Sequence, residues 1–265
     1  METFKLCCLQ GIWALVKELD MNKLYARRLH IKIYRMFVVM IGASIFLSLA
    51  PTTTASAAVK KVYLTFDDGP DPVYTPLILD TLRGENVKAT FFVLGSRAEQ
   101  SPNILRRIHN DGHEIGNHGY YHTFIVRKPQ DWVKQDIIRT DTAIHAVCGV
   151  KPKYYRPPGG ILSQKDLDFV VKTGHPVAMW TVDTNDWKAK NASSIINTVR
   201  EEAFPNAIIL LHDGTPSSMY TVKALPSIIH DLRSSGYTFA ILPEQYHGKY
   251  IGRPTDSTNY RFNRK

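Results

Sequence analysis

The chain has 265 residues, of which 44% are hydrophobic and 22% are charged, and this balance excludes fibrous and intrinsically disordered proteins. Its formal net charge of +9 does not by itself indicate nucleic-acid binding, because no cluster of Lys and Arg is interleaved with base-stacking aromatic residues. A modest positive charge suits an anionic polymer such as a cell wall, although solubility alone explains it as well.

The N-terminus predicts an export signal. Four basic residues between positions 27 and 35 precede an apolar run at 36–50, and Ala55-Ser56-Ala57 follows. A basic region, an apolar stretch and a small-x-small site form a secretory signal peptide. An uncleaved membrane anchor is the alternative, although the run is shorter than the roughly 20 residues of a membrane span. We expect a leader at 1–57, with Met21 as a candidate true start, and a protein that is secreted or attached to the wall or membrane outside the cytoplasm.

Short apolar strands alternate with amphipathic helices from residue 62 onward. Strands are predicted at Val62–Phe66, Ala89–Val93, Glu114–Gly116, Tyr154–Arg156, Val177–Thr181, Ala207–Leu211 and Phe239–Leu242. Helices are predicted at Thr75–Arg83, Pro102–Asp111, Pro129–Val147, Ser163–Lys172, Ala192–Glu202 and Val222–Ser234. This alternation is typical of a parallel α/β sheet, and seven strands favour a distorted seven-stranded (β/α) barrel. We expect a single domain over residues 58–245, followed by a polar C-terminal tail at 246–265.

Two carboxylates and two imidazoles stand out as metal-ligand candidates. Asp67 and Asp68 end the first predicted strand, and His118 and His122 follow about fifty residues later. Histidines four residues apart lie on one face of a helical turn, so both could reach one cation. One aspartate with two histidines is a metal-ligand set, and the other aspartate is then left for chemistry. The alternatives are an ordinary Asp-Asp-Gly-Pro turn and a pair of surface histidines.

Further polar segments fall at the ends of predicted strands. They are Gly112–Asn117, Arg156-Pro157-Pro158-Gly159-Gly160, Asp183-Thr184-Asn185-Asp186-Trp187 and Leu210-Leu211-His212-Asp213. Because the carboxyl ends of parallel barrel strands open on one face, we expect these segments to converge.

Taken in order, five blocks between Thr65 and His212 resemble the polysaccharide deacetylases of the NodB-homology type, which are the family four carbohydrate esterases. The blocks are Thr-Phe-Asp-Asp-Gly-Pro, His-x-x-x-His, Arg-Pro-Pro, Asp-x-x-Asp-Trp and Leu-x-His. The resemblance implies a distorted (β/α) barrel and hydrolysis of an acetyl group on a glycan. It also implies a divalent metal, usually zinc, with cobalt, manganese or nickel as alternatives.

The resemblance further implies a division of roles among five residues. Asp68, His118 and His122 correspond to the metal ligands, Asp67 to the general base and His212 to the general acid. A carboxylate beside a cation stays ionised, as a base must.

Supporting roles also follow from the resemblance. The backbone N–H of Gly159 corresponds to an oxyanion donor, and Arg156 to the arginine that holds active-site carboxylates in place. Asp183 corresponds to the acid that tunes His212, while Trp187 and Leu210 correspond to apolar walls around the acetyl methyl group. Trp187 is alternatively a buried barrel residue.

Two positions depart from the family pattern. Gly119 stands where Ser or Thr is common, so a hydroxyl that stabilises the loop is missing. Gly159 stands where an aromatic residue is usual, so the groove loses a stacking surface and the substrate class is left open.

These observations predict an exported, metal-dependent enzyme that removes acetyl groups from N-acetylhexosamine residues of peptidoglycan or, next, of chitin-type oligomers. The alternatives are an O-acetyl xylan esterase and a catalytically silent, metal-holding glycan-binding protein. The presence of both Asp67 and His212 argues against the silent protein. The expected partner is a glycan, with no nucleic acid, and with membrane contact only through an uncleaved leader.

Overall fold

The computed structural model describes residues 59–243 and 250–251, together with residues 21, 23, 25–33, 35 and 36. The chain divides into two units, residues 1–57 and residues 58–265, and residues 25–33 of the first unit are helical and exposed. Most of the predicted apolar run, the Ala55-Ser56-Ala57 site and most of the tail lie outside the described residues. Within the described part, no helix is both long enough and apolar enough to cross a membrane.

The second unit is built on parallel strands. They are β1 (Lys60–Asp67), β2 (Thr90–Val93), β3 (Glu114–Asn117), β4 (Val177–Ala178), β5 (Val182–Asp183), β6 (Ala207–His212), β7 (Tyr237–Phe239) and β8 (Tyr250–Ile251). The main sheet has the order β3-β2-β1-β6-β5, and β7 pairs with the start of β1. In a second ladder β8, from the C-terminal tail, pairs with β4.

Helices connect the strands. They are α1 (Tyr74–Gly84), α2 (Gly95–Gln100), α3 (Pro102–Asn110), α4 (Gln130–Cys148), α5 (Gln164–Lys172), α6 (Ala192–Glu202) and α7 (Ser218–Ser234). Six of them were predicted within a few residues. The start of α5 has a local cause, because Ser163 and Asp166 form a capping box with reciprocal side-chain-to-backbone hydrogen bonds. The α/β fold with a parallel sheet is therefore confirmed.

Two predicted strands are shorter than expected, and the strand predicted at Phe239–Leu242 lies at Tyr237–Phe239 instead. Of Tyr154–Arg156 only Tyr155 pairs, through isolated bridges to Asn117 and Val177. Pro157 and Pro158 follow at once, and proline has no N–H to continue a ladder. The strand predicted at Val177–Thr181 ends at Ala178, and the Arg156 guanidinium takes the carbonyl oxygens of Ala178 and Met179.

Closure of a seven-stranded barrel stays a prediction. In the part of the chain that the structure describes, β4 and β5 belong to separate ladders and do not pair with each other. The short elements β5 and α2 were not predicted, because two and six residues are too few to produce a hydrophobic period.

The alternation of side chains along the strands separates the core from the site. Val62, Leu64 and Phe66 of β1 lie in the larger apolar cluster, so Asp67 points to the opposite face. The register of β1 and β6 places Asp67 beside His212. Two distant polar residues thus become neighbours on one face, at the carboxyl ends of adjacent parallel strands.

Beneath this face, Gly116 makes room for an aromatic ring. A Cβ atom at Gly116 would lie 2.4 Å from the Phe92 ring. That ring in turn lies under the Arg156 guanidinium, whose Cζ is 3.9 Å from the ring centroid. Glycine at 116 therefore supports the position of Arg156 through Phe92.

We predict that Gly116→Ala lowers the free energy of unfolding by about 1–3 kcal/mol, because the added methyl group must displace Phe92 in a packed interior. Urea denaturation measures the change. Gly84→Ala is the matched control, since no heavy atom lies within 4 Å of a Cβ there. Equal effects at the two positions would contradict the packing explanation.

Candidate active site

Asp68, His118 and His122 form a cluster that fits one metal ion. The Asp68 Oδ1 atom lies 3.4 Å from His118 Nε2 and 3.3 Å from His122 Nε2, and the three ligand atoms lie within 4.8 Å of one another. Two ligands at about 2.1 Å from a tetrahedral ion are about 3.4 Å apart, so the spacing fits. Asp68 Oδ1 is also buried and has no hydrogen-bond partner among the described residues, which a bound cation would remedy.

A backbone hydrogen bond on the side away from Asp68 fixes the orientation of the His118 ring. Its Nδ1 atom lies 2.8 Å from the backbone carbonyl oxygen of Arg156. Because a carbonyl only accepts hydrogen bonds, Nδ1 carries the proton, and the lone pair of Nε2 faces Asp68. This is the tautomer that a metal-ligating histidine needs.

The predicted helical turn between the two histidines is wrong. Residues 118–122 form an irregular loop, in which Gly119 has φ 77° and His122 has φ 57°. Asp68 also has a positive φ, of 75°. Such a conformation costs about 1–3 kcal/mol in a residue other than glycine, and it is concentrated at functional sites.

A buried network holds this loop. The Asn117 Oδ1 atom accepts the N–H of Gly119 at 2.8 Å, and Asn117 Nδ2 donates to Asp141 at 2.8 Å. His175 Nε2 in turn lies 3.1 Å from Asp141. On the other side, a Cβ at Gly119 would lie 2.8 Å from the Asp136 carboxylate. These residues support the loop at Gly119, where a Ser or Thr hydroxyl was expected to do so. They lie far apart in the sequence, so their spacing did not predict that they would meet.

Arg156 is buried against Asp67 and is not a surface cation. Its side chain has 0% exposure, and Nη1 donates to Asp67 Oδ1 at 2.6 Å and to Thr65 Oγ1 at 2.9 Å. Nε and Nη2 donate to the carbonyl oxygens of Ala178 and Met179. The guanidinium therefore fixes the Asp67 carboxylate in place.

His212 is paired with Asp186, and not with Asp183 as predicted. Its Nδ1 lies 2.7 Å from Asp186 Oδ1, and its backbone N–H donates to Asp186 Oδ2 at 2.7 Å. Thr221 Oγ1 also donates to Asp186 at 2.6 Å. Asp183 instead accepts the N–H of Asn185. The cause is the turn after β5, a 3-10 helix over Asp186–Lys188 that directs the later aspartate toward β6.

Burial and neighbouring charges shift the pKa values of the site residues in opposite directions. Burial alone would lower the pKa of His212, but the Asp186 carboxylate raises it to about 9. Burial would likewise lower the pKa of His118, and Asp67 and Asp68 raise it. Burial would raise the pKa of Asp68, yet the neighbouring histidines hold it well below its usual range. The field of the two aspartates therefore favours positive charge, as a cation site requires.

A cleft of about 670 Å³ joins these groups, and it brings together all the sequence-predicted site residues except Arg156, which lies beneath it. The lining includes Asp67, Asp68, His118, His122, Gly159, Asp183, Trp187, Leu210 and His212. Trp187 is 50% exposed on one wall and is thus not a buried barrel residue, whereas Leu210 is buried.

Phe124 is a cleft residue that the sequence reasoning missed. Its ring is 51% exposed and lies 6.0 Å from that of His122, centroid to centroid. A Cβ at Gly159 would lie 2.8 Å from Phe124 Cε1. Glycine at 159 thus leaves room for Phe124, which supplies an aromatic surface where the sequence predicted that one was lost. The sequence could have indicated Phe124 as a cleft residue, because it is an aromatic residue only two positions after His122.

A buried acid lies beneath the turn that carries Asp67 and Asp68. Asp213 accepts a hydrogen bond from Thr75 at 2.5 Å, and its carboxyl group fills the space that a side chain at Gly69 would need. Burial raises the pKa of Asp213 to about 7. Below that pH the group is neutral and adds no negative charge beside Asp67 and Asp68.

We predict that Asp186→Asn lowers the pKa of His212 to its ordinary value or below, because the burial penalty then stands without the compensating carboxylate. An NMR titration of the histidine side chains measures it. Asp183→Asn is the matched control and should leave the pKa of His212 unchanged. The opposite pattern would restore the assignment made from the sequence.

The chain is similar to known deacetylases over most of this unit. Residues 54–178 match the family model described as polysaccharide deacetylase. A peptidoglycan-N-acetylglucosamine deacetylase of Bacillus cereus is 43% identical over 188 residues, which cover 70% of this chain and 68% of the relative.

Solved structures agree with this similarity. The Bc1960 peptidoglycan N-acetylglucosamine deacetylase superposes with a TM-score of 0.69 and 40% identity, covering 73% of this chain and 92% of that one. A family 4 acetyl xylan esterase from Clostridium thermocellum, in complex with a cobalt ion, has a TM-score of 0.65 and 38% identity, covering 69% and 88% of the two chains. The chain therefore belongs to the polysaccharide deacetylase family.

Proposed function

We propose that this protein hydrolyses the N-acetyl groups of N-acetylhexosamine residues in a glycan, with peptidoglycan as the preferred polymer and chitin-type oligomers next. The observation that carries the proposal is the cluster of Asp68, His118 and His122 in the same cleft as Asp67 and His212. Relatives named for peptidoglycan N-acetylglucosamine deacetylation support the substrate class.

Asp68, His118 and His122 would hold a divalent cation, for which we propose zinc, with cobalt, manganese or nickel as alternatives. Two histidines and one carboxylate leave open coordination positions, as in hydrolytic zinc sites. When bound, such an ion polarises the acetyl carbonyl group and makes a water molecule more acidic.

In this proposal Asp67 is the general base. Its Oδ2 atom lies 3.7 Å from His118 Nε2, so it borders the ligand cluster, while Oδ1 is held by Arg156. A carboxylate in this position can take the proton of the attacking water, and its contact with the guanidinium holds it in place for that task.

His212 is the proposed general acid. The raised pKa keeps its imidazole protonated at neutral pH, and Asp186 occupies Nδ1, so Nε2 is the nitrogen that can donate toward the cleft. Protonation of the amine by this group lets it leave as a neutral molecule. Asp186 acts as the positioning residue in the place that the sequence assigned to Asp183.

Other cleft residues would bind the acetyl group and the sugar. The backbone N–H of Gly159 is the proposed oxyanion donor, and Trp187 and Leu210 form the walls of the methyl pocket. The half-exposed Phe124 ring faces the cleft from the loop that carries His122, and we assign it to stacking against a sugar ring.

Hydrolysis of O-acetyl esters on xylan is the second candidate, and the structural similarity to an acetyl xylan esterase favours it. The same base and cation would serve either bond, so the substrate assay decides between them. A silent glycan-binding protein is less well supported, since Asp67 and His212 are both in place.

Two further proposals concern the closure of the sheet and the location of the protein. We propose that the parallel sheet closes into a distorted barrel and that the protein works outside the cytoplasm, either released or anchored through residues 1–57. N-terminal sequencing of the exported protein would distinguish cleavage from anchoring.

We predict release of acetate from peptidoglycan, loss of this activity on chelation and its return with zinc. Asp67→Asn should retain metal binding by calorimetry and lose about 10²–10⁴ in turnover, since only proton transfer is removed. His118→Ala should lose both metal binding and activity.

Matched controls are Asp80→Asn and His145→Ala, which change exposed side chains on α1 and α4. Both should leave metal binding and turnover intact. Wild-type activity in Asp67→Asn would remove the base assignment, and faster release from acetylated xylan than from peptidoglycan would favour the second candidate.

A further inference from the structure

A second cleft of about 670 Å³ is formed by the loop before α4 and the start of α5. Residues 126–130 form one wall, and Ser163, Lys165 and Asp166 form the other. We call it the basic cleft. None of its lining residues belongs to the candidate active site.

The lining carries three cations and one acid. Arg127, Lys128 and Lys165 are exposed, and none of them forms an ion pair within the described residues. The Lys128 ammonium group lies over the face of the Trp132 ring, 5.1 Å from its centroid. The acid, Asp166, is already engaged, because it accepts hydrogen bonds from the N–H and the hydroxyl group of Ser163 at 2.9 and 2.6 Å.

Both walls of the basic cleft are close in sequence to active-site residues. Arg127 follows the proposed metal ligand His122 by five residues, a separation of roughly 18 Å at most for an extended chain. Lys165 follows Gly159 by six residues, or roughly 21 Å at most. Groups attached to a polymer whose acetyl group lies in the active site can therefore come within reach of these cations.

We propose that the basic cleft binds carboxylate groups carried by the substrate polymer and so favours peptidoglycan strands over neutral glycans. The muramyl side groups and peptide stems of peptidoglycan carry carboxylates, whereas chitin-type oligomers carry none. Arginine and lysine donors without an internal acid partner are complementary to such groups, and Arg127 can bind a carboxylate with two hydrogen bonds. This inference rests on the proposed deacetylase function.

The test compares two triple variants with the same loss of charge. Arg127→Gln/Lys128→Gln/Lys165→Gln removes the cations of the basic cleft. Lys61→Gln/Lys151→Gln/Lys223→Gln removes three exposed cations elsewhere. Initial rates of acetate release are measured on three substrates. They are peptidoglycan strands freed of phosphate polymers, the same strands after conversion of their carboxylates to methylamides, and a chitin pentamer.

We expect the cleft variant to raise KM on untreated strands about tenfold, as for three surface charge contacts, with kcat unchanged. Its KM on methylamidated strands and on the pentamer should match that of the unaltered protein. Added salt should reduce the difference on untreated strands, since exposed charges are screened. The control variant should show no such difference between substrates.

Equal changes on all three substrates, equal changes in the two variants, or no change on untreated strands would each overturn the inference. Failure of the deacetylase proposal looks different, because the unaltered protein would then release no acetate from any of the three substrates.

Discussion

The buried contact between Arg156 and Asp67 determines how the rest of the candidate site is arranged. A fully buried guanidinium is expensive to desolvate, and it is tolerated here because Asp67, Thr65 and two backbone carbonyl oxygens satisfy its donors. The backbone oxygen of the same arginine accepts the Nδ1 proton of His118. One residue thus orients both the proposed base and one proposed metal ligand.

This arrangement explains how two adjacent aspartates can have different tasks. Asp67 is the last residue of β1 and faces Arg156, whereas Asp68 leaves the strand with φ 75° and faces the two histidines. Its Oδ1 atom has no hydrogen-bond partner in the described part of the chain and is therefore available to a cation. The strained backbone at Asp68 and His122 is the conformational cost of bringing these ligand atoms together.

The sequence was most informative where a local pattern dictates the outcome. Short apolar runs predicted β1 and β6, and the ordered blocks predicted which distant residues would meet in one cleft. It failed where geometry depends on tertiary contacts. The turn after β5 determines that Asp186, and not Asp183, pairs with His212. The strand that begins at Val177 stops where the Arg156 guanidinium donates hydrogen bonds to its carbonyl oxygens. The sequence could not predict that Phe124 occupies the space beside Gly159, because that contact joins two separate loops.

The central claim is that Asp68 binds the cation while Asp67, held by Arg156, remains free to take a proton. Anomalous scattering from crystals grown with zinc tests it most directly. We predict one zinc peak at about 2.0–2.2 Å from Asp68, His118 Nε2 and His122 Nε2, with the Asp67 carboxylate outside bonding distance and still paired with Arg156. A peak coordinated by Asp67, or zinc bound away from the two histidines, would contradict the account.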